Sequence, residues 1–266
     1  MQDKLLRETI PLQPPQHQCQ AVSVHPYRRQ KINYTSMARR QEQEFVLKAV
    51  TVDSTDEHGV EALLLETNAG VIAARLHPTA AGAAAVVWVG GSGGGLDGPA
   101  WGMYPRLAGH LAAQGIASLR LHYRKPNYLE DCVVDTLLGV QYLVRQLGYR
   151  AVALVGHSFG GAVVISAGAL SDEVVAVVAM SSQTYGTDLA PRVSPRPLLV
   201  LHGTADEILS DACSKSIYNR AQEPKEILLY PGCRHGLDEC RDQVDADVVR
   251  WLVKQLTAAT ESAEQV

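Results

Sequence analysis

A chain of 266 residues with 46% hydrophobic and 20% charged side chains has the composition of one large globular domain with a full core. Its net charge of −4 argues against a general nucleic-acid or anionic-membrane surface. No apolar run reaches the ~18 residues that a membrane-spanning helix needs.

Residues 1–44 have no sustained apolar period. They hold Pro11, Pro14, Pro15, Pro26, many glutamines and the basic run Arg28-Arg29-Gln30-Lys31. Residues 1–45 carry seven Lys/Arg against four Asp/Glu, a charge of +3, which leaves −7 for the remainder. This composition predicts a disordered or loosely docked arm, without the apolar core of a secretory signal peptide. A degenerate targeting segment and a true start at Met37, which opens Met-Ala-Arg-Arg, are the other two readings.

The folded domain is predicted over 45–260, with a short flexible tail over 261–266. Phe45–Val52, Val60–Thr67 and Val71–His77 read as strands, the last two joined by Asn68-Ala69-Gly70, and together predict an antiparallel meander. Ala83–Val89 is continuously apolar, as a strand buried on both faces must be. Helices at 102–114, 130–147, 159–170, 209–221 and 241–258 then alternate with strands Ile116–His122, Ala151–Val155, Val174–Met180, Pro197–Leu201 and Glu226–Tyr230. That alternation demands an α/β fold with a mostly parallel sheet and helices on both faces. Ligands then bind beyond the carboxyl ends of the strands.

The chemistry concentrates at those ends. Gly156-His157-Ser158-Phe159-Gly160 lies between an apolar strand and a small-residue helix, the setting in which Gly-x-Ser-x-Gly forms a nucleophile elbow. A helix-capping serine is the plainer reading, and it would need no partners. Partners are present. Strand Pro197–Leu201 runs into His202-Gly203-Thr204-Ala205-Asp206, and strand Glu226–Tyr230 into Pro231-Gly232-Cys233-Arg234-His235. Ser158, Asp206 and His235 thus occur in the chain order of a nucleophile, an orienting acid and a base on such a sheet. Singly, Asp206 could cap the next helix and His235 could be a solvated loop residue. Of their neighbours, Glu207 is expected to point toward the following helix, His157 to shape the pocket or pack, His202 to be a structural turn residue, and Asp238 to lie at the surface or behind His235.

An oxyanion site needs two N–H donors. Phe159, opening the elbow helix, is predicted to supply one, and the loop Gly90-Gly91-Ser92-Gly93-Gly94-Gly95 the other. That loop lacks the Gly-Lys-Ser/Thr ending of a phosphate-binding loop, and no acidic residue follows as a dinucleotide site would require.

From about residue 45 the chain resembles an α/β-hydrolase. The resemblance rests on the Gly156–Gly161 elbow, the His202–Asp206 acid loop and the Pro231–Gly236 histidine loop. Within that superfamily it is most similar to the small, lidless dienelactone-hydrolase-like and acyl-CoA-thioesterase-like members, through Gly90–Leu96 and Ile116–Arg124. Gly90 stands where many members have a histidine, which implies Ser92 as the second oxyanion donor. Dienelactone hydrolases proper use a cysteine nucleophile, and Ser158 departs from that.

Only Ser181–Arg196 separates two adjacent strands, too few residues for a helical lid, so an open site is expected. Gly91, Trp101, Met103, Tyr104, Tyr123, Arg124, His157 and Tyr185 are pocket candidates. Arg124-Lys125 would suit an anionic acyl group or the phosphates of CoA, or would be a solvated turn. The expectation is a cytoplasmic serine hydrolase of a small-molecule ester, with a thioester or a non-catalytic binding role as alternatives. No cofactor, metal or nucleic acid is expected, and monomer or dimer is left open. The five cysteines (Cys19, Cys132, Cys213, Cys233 and Cys240) contain no Cys-x-x-Cys pair and read as reduced thiols. Cys233 and Cys240 flank the histidine loop and could meet, with incidental placement preferred.

Overall fold

The computed structural model describes residues 44–264. All of the predicted arm over 1–44 except Glu44, and the last two residues of the tail, lie outside them. Among the described residues nine strands form one sheet: β1 (Leu47–Thr55), β2 (Glu61–Thr67), β3 (Gly70–His77), β4 (Ala84–Val89), β5 (Ile116–His122), β6 (Ala151–His157), β7 (Val174–Met180), β8 (Leu198–Gly203) and β9 (Lys225–Tyr230). Their order is β1-β2-β3-β5-β4-β6-β7-β8-β9. The first three strands form the expected antiparallel meander, joined antiparallel to β5, and every pair from β5 to β9 is parallel. Thr67 shapes the β2–β3 turn, its hydroxyl donating to the Gly70 carbonyl at 2.6 Å.

The apolar pattern explains the layers. In β4, Ala85, Val87 and Val89 enter one core, while Ala84, Val86 and Trp88 enter the other. The first core is covered by α2 (Leu129–Gln141) and α3 (Phe159–Leu170), the second by α1 (Pro99–Ala112) and α5 (Arg241–Glu264). A strand with both faces buried has no polar side to offer, hence its unbroken apolar run. Chain order reverses about β4: β5 lies on one side of it and β6 on the other. In open α/β sheets ligands bind outside the carboxyl ends of the strands at such a reversal, where the loop after β4 and the turn after β6 lie here.

Several boundaries differ from expectation for identifiable reasons. The helix predicted over 209–221 is α4 (Ala212–Arg220), because the N–H groups of Ile208 and Leu209 turn toward the Asp206 carboxylate. The one predicted over 130–147 ends its α-helical part at Gln141 and continues as a π-helical turn over Tyr142–Gln146. The terminal helix runs on to Glu264, so residues 261–264 extend α5. Helix α1 starts earlier than predicted, through Ala100, Trp101 and Gly102 with φ of 51°, 55° and 79°. Left-handed backbone costs an L residue about 1–2 kcal/mol. Side-chain and loop partners hold the turn: the Gly236 carbonyl accepts from Ala100 N–H at 2.7 Å, Asp238 Oδ1 accepts from Trp101 N–H at 3.1 Å, and the Arg106 guanidinium donates to the Ala100 and Trp101 carbonyls while pairing with Asp245.

Arg124 is neither a solvated turn residue nor an anchor for an anionic substrate. Its side chain is 4% exposed and its Nε lies 2.5 Å from Asp135 Oδ1 on α2, itself 0% exposed. The Arg124 backbone N–H donates to the other carboxylate oxygen at 2.7 Å. The pair ties α2 to the end of β5. Removing one member of a buried pair strands the other charge, so Asp135→Ala should cost about 3–5 kcal/mol in urea unfolding. Replacing both residues with leucine should recover most of that loss.

Candidate active site

Ser158 is the residue between β6 and α3, with φ 59° and ψ −121°. Positive φ at a non-glycine residue is strain, of order 1–3 kcal/mol, that surrounding structure must impose. Here Ser158 N–H donates to the Met180 carbonyl at 2.8 Å and its carbonyl accepts from Gly161 N–H at 3.0 Å. The turn is this tight because strand and helix are nearly in contact. A Cβ on Gly156 would overlap the Gly160 carbonyl, and one on Gly160 would overlap the Gly90 carbonyl.

The sequence-predicted partners meet at this turn. His235 Nε2 lies 3.1 Å from Ser158 Oγ, and His235 Nδ1 lies 2.8 Å from Asp206 Oδ2. Asp206 Oδ1 accepts from the Ile208 and Leu209 N–H groups at 2.9 and 2.7 Å. The Asp206 side chain is 0% exposed and that of His235 15%. Burial alone would raise the Asp206 carboxyl. Hydrogen bonds from His202, His235 and Leu209 N–H outweigh it and hold the group well below the usual carboxylate range. A fixed carboxylate, an imidazole and a hydroxyl in line can move a proton off that hydroxyl.

The loop after β4 lies beside the hydroxyl. A Cβ on Gly91 would stand 3.6 Å from Ser158 Cβ. Four side chains fix this loop. Tyr104 and Tyr123 donate to the carbonyls of Val89 and Gly90, at 2.8 and 3.1 Å. His122 Nδ1 accepts from Gly95 N–H at 2.9 Å, and Arg120 donates to the Leu96 carbonyl at 3.2 Å. Tyr104 and Tyr123 are therefore buried supports and Met103 is a buried core residue, where pocket walls were expected. Arg120 and His122 were not anticipated as supports, although two polar residues at alternate positions of an apolar strand are a readable signal. Ser92 and Tyr185 are exposed, and Trp101 is 76% exposed.

Neighbours of the relay correct other expectations. Glu207 turns away from the helix, and its Oε2 accepts from His235 N–H at 3.2 Å. His202 is fully buried and reaches Asp206 Oδ2 at 3.0 Å, so it is more than a turn residue. His157 Nε2 donates to the His235 carbonyl at 2.9 Å, with the two rings 4.8 Å apart. Burial first, and the neighbouring His235 second, pull the His157 imidazole down to about 4. Cys233 and Cys240 form a disulfide across the histidine loop, which overturns the reduced-thiol reading for that pair. Cys132 and Cys213 are buried free cysteines, and Cys19 lies outside the described residues. Among the described residues no group of three His, Cys, Asp or Glu side chains is placed to hold a metal ion, and no helix is long and apolar enough to cross a membrane.

Residues 104–264, more than half of the chain, match the dienelactone hydrolase family. Among solved structures, the dienelactone hydrolase of Anabaena variabilis ATCC 29413 superposes with a TM-score of 0.66 at 17% identity, covering 74% of this chain and 98% of that one. Est1E from Butyrivibrio proteoclasticus gives 0.63 at 16%, covering 74% and 99%. An α-β serine hydrolase homologue from Coxiella burnetii gives 0.61 at 16%, covering 77% and 100%. These likenesses establish the α/β-hydrolase fold. The uncharacterized protein YfhR of Escherichia coli K12 is 40% identical over 50 residues, which is 19% of this chain and 18% of that curated relative's length.

The neutral His157 has a consequence for stability. Its folded value near 4 lies below the ordinary 6.5, so the unfolded chain binds the extra proton first as pH falls. The stability it contributes is complete above about 6.5 and is lost as pH drops toward about 4. His77, lowered to about 4 by burial and by Arg120, acts in the same window. Urea unfolding at pH 7 and pH 5 should show a smaller loss for His157→Gln than for the unaltered chain.

Proposed function

The chain belongs to the dienelactone hydrolase family, and from that premise we propose that this hydrolytic enzyme is a serine hydrolase of carboxylic esters. The observation that carries the reading is the continuous contact from Ser158 Oγ through His235 to the buried Asp206. His235 takes the hydroxyl proton as Ser158 attacks the acyl carbonyl. Asp206 keeps the proton on Nδ1 and stabilises the imidazolium that forms. The oxyanion is received by the N–H groups of Phe159, at the start of α3, and Ser92, in the loop beside Ser158. The imidazolium protonates the departing alcohol, and a water molecule activated by the same imidazole releases the acid.

The ester reading is favoured over the thioester one by what surrounds Arg124. Its guanidinium is buried against Asp135, and the neighbouring Lys125 stands 3.4 Å from Asp131, so the cation proposed for CoA phosphates is already paired. The absence of an inserted lid between β7 and β8 suits small or medium acyl groups. A binding protein without catalysis would have no use for a strained serine held on a buried acid–base pair.

A fluorophosphonate probe should label Ser158 in the folded protein and fail on Ser158→Ala, with Cys132→Ala, which removes a free thiol, still labelled. Hydrolysis of p-nitrophenyl acetate or butyrate should fall about 10⁴-fold or more in Ser158→Ala and in Asp206→Asn. A folded protein that neither reacts with the probe nor turns over either ester would sink the proposal. A strong preference for acyl-CoA over the p-nitrophenyl esters would move it to thioesters.

A further inference from the structure

Asp206 has a second imidazole on its other side. Its Oδ2, which meets His235 at 2.8 Å, also meets Nε2 of His202 at 3.0 Å. His202 is the next-to-last residue of β8 and is fully buried. The same Nε2 lies 3.0 Å from the Leu209 carbonyl, and Nδ1 lies 2.6 Å from Ser214 Oγ on α4, another fully buried residue. The proton positions follow from the acceptors. A carboxylate and a carbonyl can only accept, so Nε2 must carry the hydrogen. Nδ1, on the other edge of the ring, is met by the Ser214 hydroxyl, which can donate or accept. The alternative tautomer would aim a lone pair at two oxygens.

We infer that His202, its ring held in place by Ser214 and the Leu209 carbonyl, is a positioning residue that sets the plane and place of Asp206 for His235. The inference rests on the proposed roles of Asp206 and His235, and extends the relay to Ser214–His202–Asp206–His235–Ser158. Asp206 Oδ1 is anchored by two N–H groups, which leaves the carboxylate free to turn about that anchor. His202 removes that freedom by holding Oδ2. Without it Oδ2 keeps a single donor, the same imidazole it has to orient. Helix α4 enters the site in this way, although none of its residues touches Ser158 or His235 through a hydrogen bond recorded among the described residues.

The test compares His202→Phe, His202→Gln and Ser214→Ala in the full chain, each first checked for cooperative thermal unfolding. One readout is hydrolysis of p-nitrophenyl butyrate per fluorophosphonate-titrated site. The other is the far-downfield proton resonance of His235 Nδ1–H, which needs no turnover. His202→Phe should lower kcat about tenfold or more with KM within about twofold, since positioning is felt at the chemical step. It should also broaden the resonance or move it upfield. The amide of His202→Gln can still donate to Oδ2 and should restore most of both. Ser214→Ala should move both in the same direction by less. Unchanged kcat and resonance in folded His202→Phe overturn the inference, and where that variant does not fold, the same result in Ser214→Ala does so. An unaltered protein whose resonance depends on His202 but which hydrolyses no ester leaves the positioning role standing and overturns the proposed function instead.

Discussion

Three stretches of main chain meet where Gly90, Gly156 and Gly160 approach one another, and a methyl group on any of them would overlap a backbone carbonyl. This contact brings the end of β4, the end of β6 and the start of α3 within one residue's width of Ser158. The backbone of Ser158 is strained because no relaxed turn fits so small a gap. Everything else about the site serves to keep that gap closed. Both faces of β4 and β6 are packed by core side chains, so the two strands cannot slide apart without opening two cores at once.

A second requirement is that the charged and polar groups of the site be held without help from water. Asp206 has every oxygen occupied by a protein donor. The glycine loop is fixed by β5 and α1 through Tyr104, Tyr123, Arg120 and His122, since glycines alone provide close approach and no rigidity. The histidine loop is closed by the Cys233–Cys240 bond and by contacts to His157 and Glu207. Rigid loops on a fully packed sheet are what preorganised catalysis asks of a fold.

The parallel sheet, the meander and the order of Ser158, Asp206 and His235 are legible in the sequence because they depend on local signals: apolar runs, turn residues, and a polar side chain just past a strand. Pairing across long separations is not local. Nothing near Arg124 announces that it faces Asp135 across a buried interface, and its position after β5 suggests an exposed turn instead. Cys233 and Cys240 show the same gap, since a seven-residue spacing does not tell whether the intervening chain folds back. His202 was readable as a strand-end residue, but its alignment with Asp206 needed the turn geometry of 203–209. The left-handed entry to α1 was hidden for another reason. Ala100 and Trp101 have no preference for that conformation, and the residues that impose it lie 137 positions away in the case of Asp238.

That entry has a consequence for how the molecule opens. A turn of the wrong hand has no stability of its own, and it stays in place only while Gly236, Asp238 and Arg106 hold it. Two of those three belong to the segment immediately after His235. The start of α1 therefore depends on the histidine loop: it loses two of its three holds once that loop opens, so its amides should open at least as readily as those of the loop. Opening the loop that carries the base would thus unlatch the entry to a helix more than a hundred residues earlier in the chain.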